Sequence, residues 1–273
     1  MLLDVSFGQY YPTKSFVHNM DPRVKLLLLI AYIVLIFVVK NFYGFILACA
    51  FFLLAVIFSK VPILSVLRSV KAIIFLVLFT VILNLFFYSP AEPTIIFEWG
   101  IISLSKESLI FSAFMALRLI LLVLGSSILS LTTTPVALTD GIESLLSPLK
   151  IIKFPVHEVA LIMSIALRFI PILMSETDRI IMAQKARGAD FESGNVIASA
   201  KAMIPVLIPL LISALRRADE LGDAMDARCY SGSKNRTKYK KLKLTWRDLV
   251  GTIITAVAIV GVVLLNNYAG VII

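Results

Sequence analysis

A chain of 273 residues that is 59% hydrophobic and only 16% charged is not an ordinary soluble domain; those are about 45–50% apolar and about 25% charged, so the excess here belongs in lipid. The formal charge of +9 then reads as a bias of cytoplasmic loops rather than as a nucleic-acid surface. Cys49 sits in an apolar run and Cys229 in a basic region, and their spacing suggests neither a disulfide framework nor a metal site.

In chain order, residues 1–24 carry Asp, Pro, Asn and Gln without a continuous apolar core. They do not read as a signal peptide. A helix needs about 20 apolar residues to cross the hydrocarbon core. Leu26–Val39 and Phe42–Phe58 are apolar runs split by Lys40-Asn41, which predicts two spans joined by a tight turn. Ala72–Tyr88 is a third span, and Leu109–Leu131, interrupted only by Arg118, is a fourth. Residues 89–106 contain prolines, glutamates and a Trp-Gly turn, predicting an external loop with a small hairpin at Ile95–Leu104. Leu249–Asn266 is a fifth span.

Lys and Arg set the orientation. Lys14, Arg23 and Lys25 precede the first span, and Lys60, Arg68 and Lys71 are assigned to the loop after the second. The first and third connections hold one cation each, Lys40 and Lys106. The stretch from Lys150 to Arg247 is dense in cations, and the tail after Asn267 has none. The expected topology places the N-terminus inside, the C-terminus outside and residues 132–247 on the cytoplasmic side. The expected division is an N-terminal segment (1–24), transmembrane helices 1–4 (25–131), a cytoplasmic helical domain (132–244) and a C-terminal transmembrane helix (245–273).

The cytoplasmic region is too long for a plain loop. It opens with "TTTPVALTDGIESLLSPLK". Thr134 is a good N-cap and Pro135 suits the first helical position. Leu138, Ile142, Leu145 and Leu149 then fall on one face, predicting a short amphipathic helix at the membrane surface. Two long helices follow, from about Pro155 to Arg187 and from about Val196 to Arg228. Their first halves are apolar and their second halves polar, with Pro171, Pro205 and Pro209 inside. The connection "ADFESGN" fits a helical hairpin. One reading makes them two further spans. The other, favoured because Arg168 and Lys201 interrupt the apolar runs, immerses them partly in the inner leaflet beneath the bundle.

The ends of these two helices match. Asp178, Ala183, Ala186 and Arg187 recur as Asp219, Ala224, Ala227 and Arg228 at one constant offset. A cation in the last turn complements the helix dipole, and Gly188 suits the left-handed position beyond it. Capping does not account for the repeated alanines. Small residues keep one face slim enough for a partner's groove, and arginine's planar fork pairs with carboxylates. The motif therefore predicts docking.

Together, "GQYYPTKSFVHNMDPRVK", "TTTPVALTDGIESLLSPLK", "SETDRIIMAQKARGADF" and "ALRRADELGDAMDARCY" resemble the transmembrane T component of energy-coupling factor (ECF) transporters, the EcfT/CbiQ-like family. The likeness extends over nearly the whole chain. It implies an all-α integral membrane protein whose long helices are coupling helices. It also implies a non-catalytic subunit of a bacterial or archaeal cell membrane that binds no cofactor. Two ATP-binding-cassette ATPases would dock on the helix ends, one on Ala186, Arg187 and Gly188, the other on Ala227 and Arg228. A separate substrate-binding S component, which takes up a vitamin or similar micronutrient, would rest on the apolar faces of both helices. The sequence departs from the family pattern at Cys229, which stands where a glycine is usual. Gly232 is expected to complete that turn.

The residues agree with a non-catalytic part. Gly-x-x-x-x-Gly-Lys-Ser/Thr, His-Glu-x-x-His and Gly-x-Ser-x-Gly do not occur, and His18 and His157 read as surface or cap residues. The spans hold no acidic residue, against proton-coupled transport. A self-contained channel or secondary carrier is the rival reading, with only Asn84, Arg118 and scattered Ser and Thr to line a path. Arg118 costs at least ~2.5–3.5 kcal/mol in mid-membrane. Asn84, backbone carbonyls or a partner subunit are its candidate partners. Its role is either a structural link or coupling to the S component. "SKNRTKYKKLK" reads as a linker attracted to anionic headgroups.

Overall fold

The computed structural model describes residues 10–87, 95–99, 102–189, 191, 196–230, 232 and 242–268. Most of the basic run Ser233–Lys243, most of the "ADFESGN" connection and the first nine residues lie outside the described residues. The helices are α1 (Pro22–Val38), α2 (Phe42–Ser59), α3 (Ile63–Phe87), α4 (Lys106–Thr132), α5 (Pro135–Leu145), α6 (Val156–Ala186), α7 (Val196–Ala227) and α8 (Trp246–Tyr268). A short antiparallel hairpin, β1 (Ile95–Trp99) and β2 (Ile102–Ser105), precedes α4, with Trp99 paired to Ile102. The fold is therefore all-α apart from this small hairpin.

Among the described residues, α2, α3, α4, α6 and α8 are long and apolar enough to cross a membrane. Helix α1, with 17 residues, lies at the short end of spanning length. Helix α6 qualifies despite Arg168. The expectation that this cation breaks the run below spanning length is thus corrected, because one charge is outweighed in a window otherwise so apolar. The third span begins at Ile63, not near Ala72. Lys60 closes α2 in a left-handed conformation and the Ser65 N–H donates to the Pro62 carbonyl, so the next helix starts at once. Arg68 and Lys71 are therefore exposed residues of α3 rather than of a loop. Helix α5 stops at Leu145, and Leu149 falls in a 3₁₀ turn, Ser147–Ile152, off the predicted amphipathic face.

The described residues form two compact units, one of residues 10–141 together with those from 242 onward, the other of residues from 142 to 232. In the first, α1 packs on α4 and α8, α2 packs on α8 and α4, and α3 pairs with α4. The core holds Leu35, Ile36, Val39, Phe45 and Ala48, with the Phe45 and Phe114 rings stacked 5.2 Å apart. Lipid is as apolar as these side chains, so close packing and hydrogen bonds, rather than hydrophobicity, hold such a bundle.

Those hydrogen bonds gather at both ends. At one end Asp21 caps α1 through the Arg23 N–H (2.9 Å). Asp248 accepts from the N–H groups of Asp21 (2.8 Å) and Thr245 (2.6 Å). The buried Lys25 ammonium donates to the carbonyls of His18 (3.2 Å) and Thr132 (3.0 Å) and to Thr133 Oγ1 (3.2 Å). It thereby satisfies a carbonyl that the end of α4 leaves without a helical partner. At the other end Asn41 Nδ2 donates to the Leu265 carbonyl (3.1 Å) and Asn266 Nδ2 to the Val38 carbonyl (2.7 Å), tying the α1–α2 turn to α8.

In the second unit α6 packs against α7. Glu143 pairs with His157 at 3.1 Å, so this histidine is engaged at the start of α6 rather than simply facing solvent.

Candidate functional site: the paired helix ends

The last turn of α6 is closed by two backbone bonds. The Gly188 N–H donates to the Lys185 carbonyl (3.0 Å) and the Ala189 N–H to the Gln184 carbonyl (3.0 Å). This is the Schellman arrangement, with Gly188 in the left-handed position at φ +88°. Helix α7 closes in the same way. The Cys229 N–H donates to the Asp226 carbonyl (2.9 Å) and the Tyr230 N–H to the Met225 carbonyl (3.0 Å). Cys229 itself takes the left-handed position at φ +56°. The expectation that Gly232 would finish this turn is corrected: Gly232 is also left-handed, but the bonds that close the helix are made by Cys229 and Tyr230. The hydrogen-bond demand of the helix end outweighs the modest cost of a β-carbon there.

Arg187 and Arg228 each occupy the position where the helix ends, one residue before the left-handed one. Both are exposed, as are Ala183, Ala186, Ala224 and Ala227. Each end thus presents a guanidinium beside a shallow face of methyl groups, on a backbone held by identical bonds. Their macrodipoles place partial negative charge at the same ends.

The offset that relates the two motifs also relates the contact between the helices. Glu176 of α6 accepts from Ser213 Oγ (2.5 Å) and from Arg217 Nη2 (2.9 Å) of α7. Glu176 and Arg217 are equivalent positions in the repeat, and each terminal arginine lies eleven residues beyond its own partner in this ion pair. At 1.5 Å per residue, both ends extend roughly 16 Å past a shared crossing point. Beside it, Arg179 lines an open cavity of about 460 Å³ with Glu176 and Arg217.

The apolar halves each present an exposed face. Ile162, Met163 and Ile170 of α6 and Ile204, Leu207, Ile208 and Leu211 of α7 are exposed. Such area on a soluble monomer marks a partner or a membrane.

Arg118 belongs to the transmembrane unit. Its Nη2 donates to the Val39 carbonyl at the end of α1 (3.0 Å), its Nη1 approaches Met115 Sδ (3.6 Å), and its guanidinium lies 5.9 Å from the Phe37 ring centre. Of the partners considered from sequence, a backbone carbonyl takes the main bond. Asn84, half-buried on α3, makes neither of these two contacts.

Sequence reasoning missed the network around Lys25. Asp21-Pro22 is legible as a cap and a first helical residue, but Asp248 stands far along the chain and nothing local announces it. His18 also belongs here. Its Nε2–H donates to the Tyr11 carbonyl (2.9 Å), and its Nδ1 accepts from Ser15 Oγ (2.7 Å), which in turn accepts the His18 backbone N–H (3.2 Å). Burial pulls its pKa below the usual 6.5 against the opposing Tyr11 bond, and the Lys25 charge pulls the same way.

Residues 13–239 match the family described as CbiQ, cobalt transport protein. The chain is 50% identical to the energy-coupling factor transporter transmembrane protein EcfT of Clostridium kluyveri, over 95% of this chain and 96% of that one. It is 49% identical to EcfT of Ruminiclostridium cellulolyticum over 97% and 98% of the two chains, and 44% identical to EcfT of Bacillus subtilis over 91% and 93%. Its apolar helices and these relatives make it a multi-pass membrane subunit of a transporter. The chain belongs to the CbiQ/EcfT family, the transmembrane T components of energy-coupling factor transporters.

Proposed function

We propose that this chain is the energy-coupling scaffold of its transporter. Two cytoplasmic ATPases of the ATP-binding-cassette type grip the ends of α6 and α7, and a substrate-binding S component rests on their apolar halves. ATP binding and hydrolysis move the paired helices, and the S component delivers a vitamin or similar micronutrient to the cell interior. Ala186, Arg187 and Gly188 serve one ATPase, and Ala227 and Arg228 the other. ATP is hydrolysed by the partners, and this chain is non-catalytic. The N-terminus faces the cytoplasm and the C-terminus the outside. Residues 132–244 form the coupling domain between transmembrane helices 1–4 (25–131) and the last one (245–273).

The observation that carries this reading is the duplicated helix end. Two exposed arginines sit on two identically closed helices at equal reach from one crossing. Two similar motor subunits call for two similar handles. A carrier reading is weakened because Arg118, Asn41 and Asn266 spend hydrogen bonds on backbone carbonyls instead of facing a path.

The test is ATP-driven uptake by the assembled transporter. The double variant Arg187→Ala/Arg228→Ala inserts normally and loses uptake. Arg187→Lys alone lowers it, since an ammonium cannot reproduce the planar fork. Wild-type uptake by the double variant would refute the docking role.

A further inference from the structure

The transmembrane unit contains an apolar cavity of about 150 Å³ among α1, α2, α4, α8 and the segment before α1. Two close approaches frame it. A β-carbon on Gly125 would lie 2.1 Å from the Tyr32 ring, so the bare glycine lets that ring lie flat on α4. A β-carbon on Gly251 would lie 2.6 Å from Met20 Cε, so Met20 reaches onto α8 in the same way. Leu29, Phe52 and Ile128 line the wall.

Four polar side chains also line it, and each has its hydrogen already placed. Tyr32 donates to the Leu121 carbonyl (3.0 Å), Thr132 to Ile128 (2.8 Å) and Thr255 to Gly251 (2.9 Å). Lys25 spends its three donors on His18, Thr132 and Thr133. The lining therefore offers a guest no free donor and only a few hydroxyl oxygens as acceptors, and a wall so largely apolar favours an apolar guest. At the rim, Leu54 and Phe58 of α2 and Ile254 of α8 line the cavity and are exposed. They continue into the outward apolar surface of Leu53, Ile57, Ile253 and Val257. The medium at the mouth is therefore hydrocarbon.

We propose that this cavity holds an acyl chain of a membrane phospholipid, drawn in between α2 and α8 from the leaflet on the side of the N-terminal segment. The occupant is the chain alone. The ammonium at the cavity's polar end is fully engaged, so the headgroup remains outside the bundle. The guest supplies the van der Waals contacts that the wall otherwise lacks.

Photolabelling tests the proposal. The full chain is placed in nanodiscs of phosphatidylethanolamine and phosphatidylglycerol doped with a phospholipid that carries a diazirine in its acyl chain. Labelled residues are mapped by mass spectrometry. Label is expected on Phe52 and Ile128, well above that on the core residues Leu35 and Phe45. The cavity-filling variants Ala55→Phe and Leu29→Trp should each lose label at Phe52 and Ile128 and keep it on the outward Ile57 and Val257. That retained label shows that each variant is still inserted. Wild-type labelling of Phe52 and Ile128 no higher than that of Leu35 and Phe45 would overturn the proposal. So would label that persists there in both variants.

Discussion

His18 shows how one side chain organises the segment ahead of α1. Its neutral ring uses one nitrogen as donor and the other as acceptor, so protonation would turn the acceptor against the Ser15 hydroxyl hydrogen. Burial and the Lys25 charge oppose protonation in the fold, while the unfolded chain titrates near 6.5. The sign follows. Below that value the unfolded state binds the proton more readily, so the contribution is intact above pH 6.5 and is lost as pH falls through and below it. Thermal unfolding of the purified protein in detergent should therefore show a midpoint that drops between pH 7.5 and pH 5. In His18→Gln that part of the slope should disappear. A wild-type slope retained in the variant would assign the titration to another group. Arg118 makes the complementary point. Sequence shows that a charge sits in a span but not what it meets. The partner is the Val39 carbonyl, a group present in any sequence and left without a helical partner because α1 ends there.

At the scale of elements, α6 and α7 behave as two arms tied at equivalent points. The tie is partly exposed, with side-chain exposures of 38% for Arg217 and 24% for Glu176, and exposed ion pairs contribute little to stability. Its value is in register. Slippage of one helix by a turn would set the two arginines at unequal reach. Glu176→Arg should therefore widen the distance distribution between spin labels at the exposed positions 182 and 223. The charge-reversed pair Glu176→Arg/Arg217→Glu should narrow it again. A distribution unchanged by the single reversal would show that packing alone sets the crossing. The two arms, the repeated motif and the capping of α5 by Thr134 were legible because each depends on local spacing. The start of α3 is less legible because Arg68 and Lys71 look like loop residues, yet exposed cations are tolerated in the first three turns of a span, where long side chains reach the headgroups. The crossing itself was hidden. Glu176 and Arg217 stand among several charges in polar helix halves, and only the fold selects this pair.

For the whole molecule, the charge asymmetry of the loops and the matched helix ends make one joint demand, that both arginines face the cytoplasm. Cys229 reports on it directly. It is a free, exposed thiol next to Arg228, and the other cysteine, Cys49, is partly buried within α2. A membrane-impermeant maleimide added to intact cells should leave Cys229 unmodified, and the same reagent should modify it in inside-out vesicles that contain this chain alone. Tyr268→Cys, at an exposed position near the end of α8, should show the opposite pattern. In vesicles that carry the assembled transporter, Cys229 should become protected, because a subunit that grips Arg228 must cover the residue beside it. Labelling from outside the cell would invert the topology. Equal labelling with and without the ATPases would leave α7 ungripped, whatever its sequence suggests.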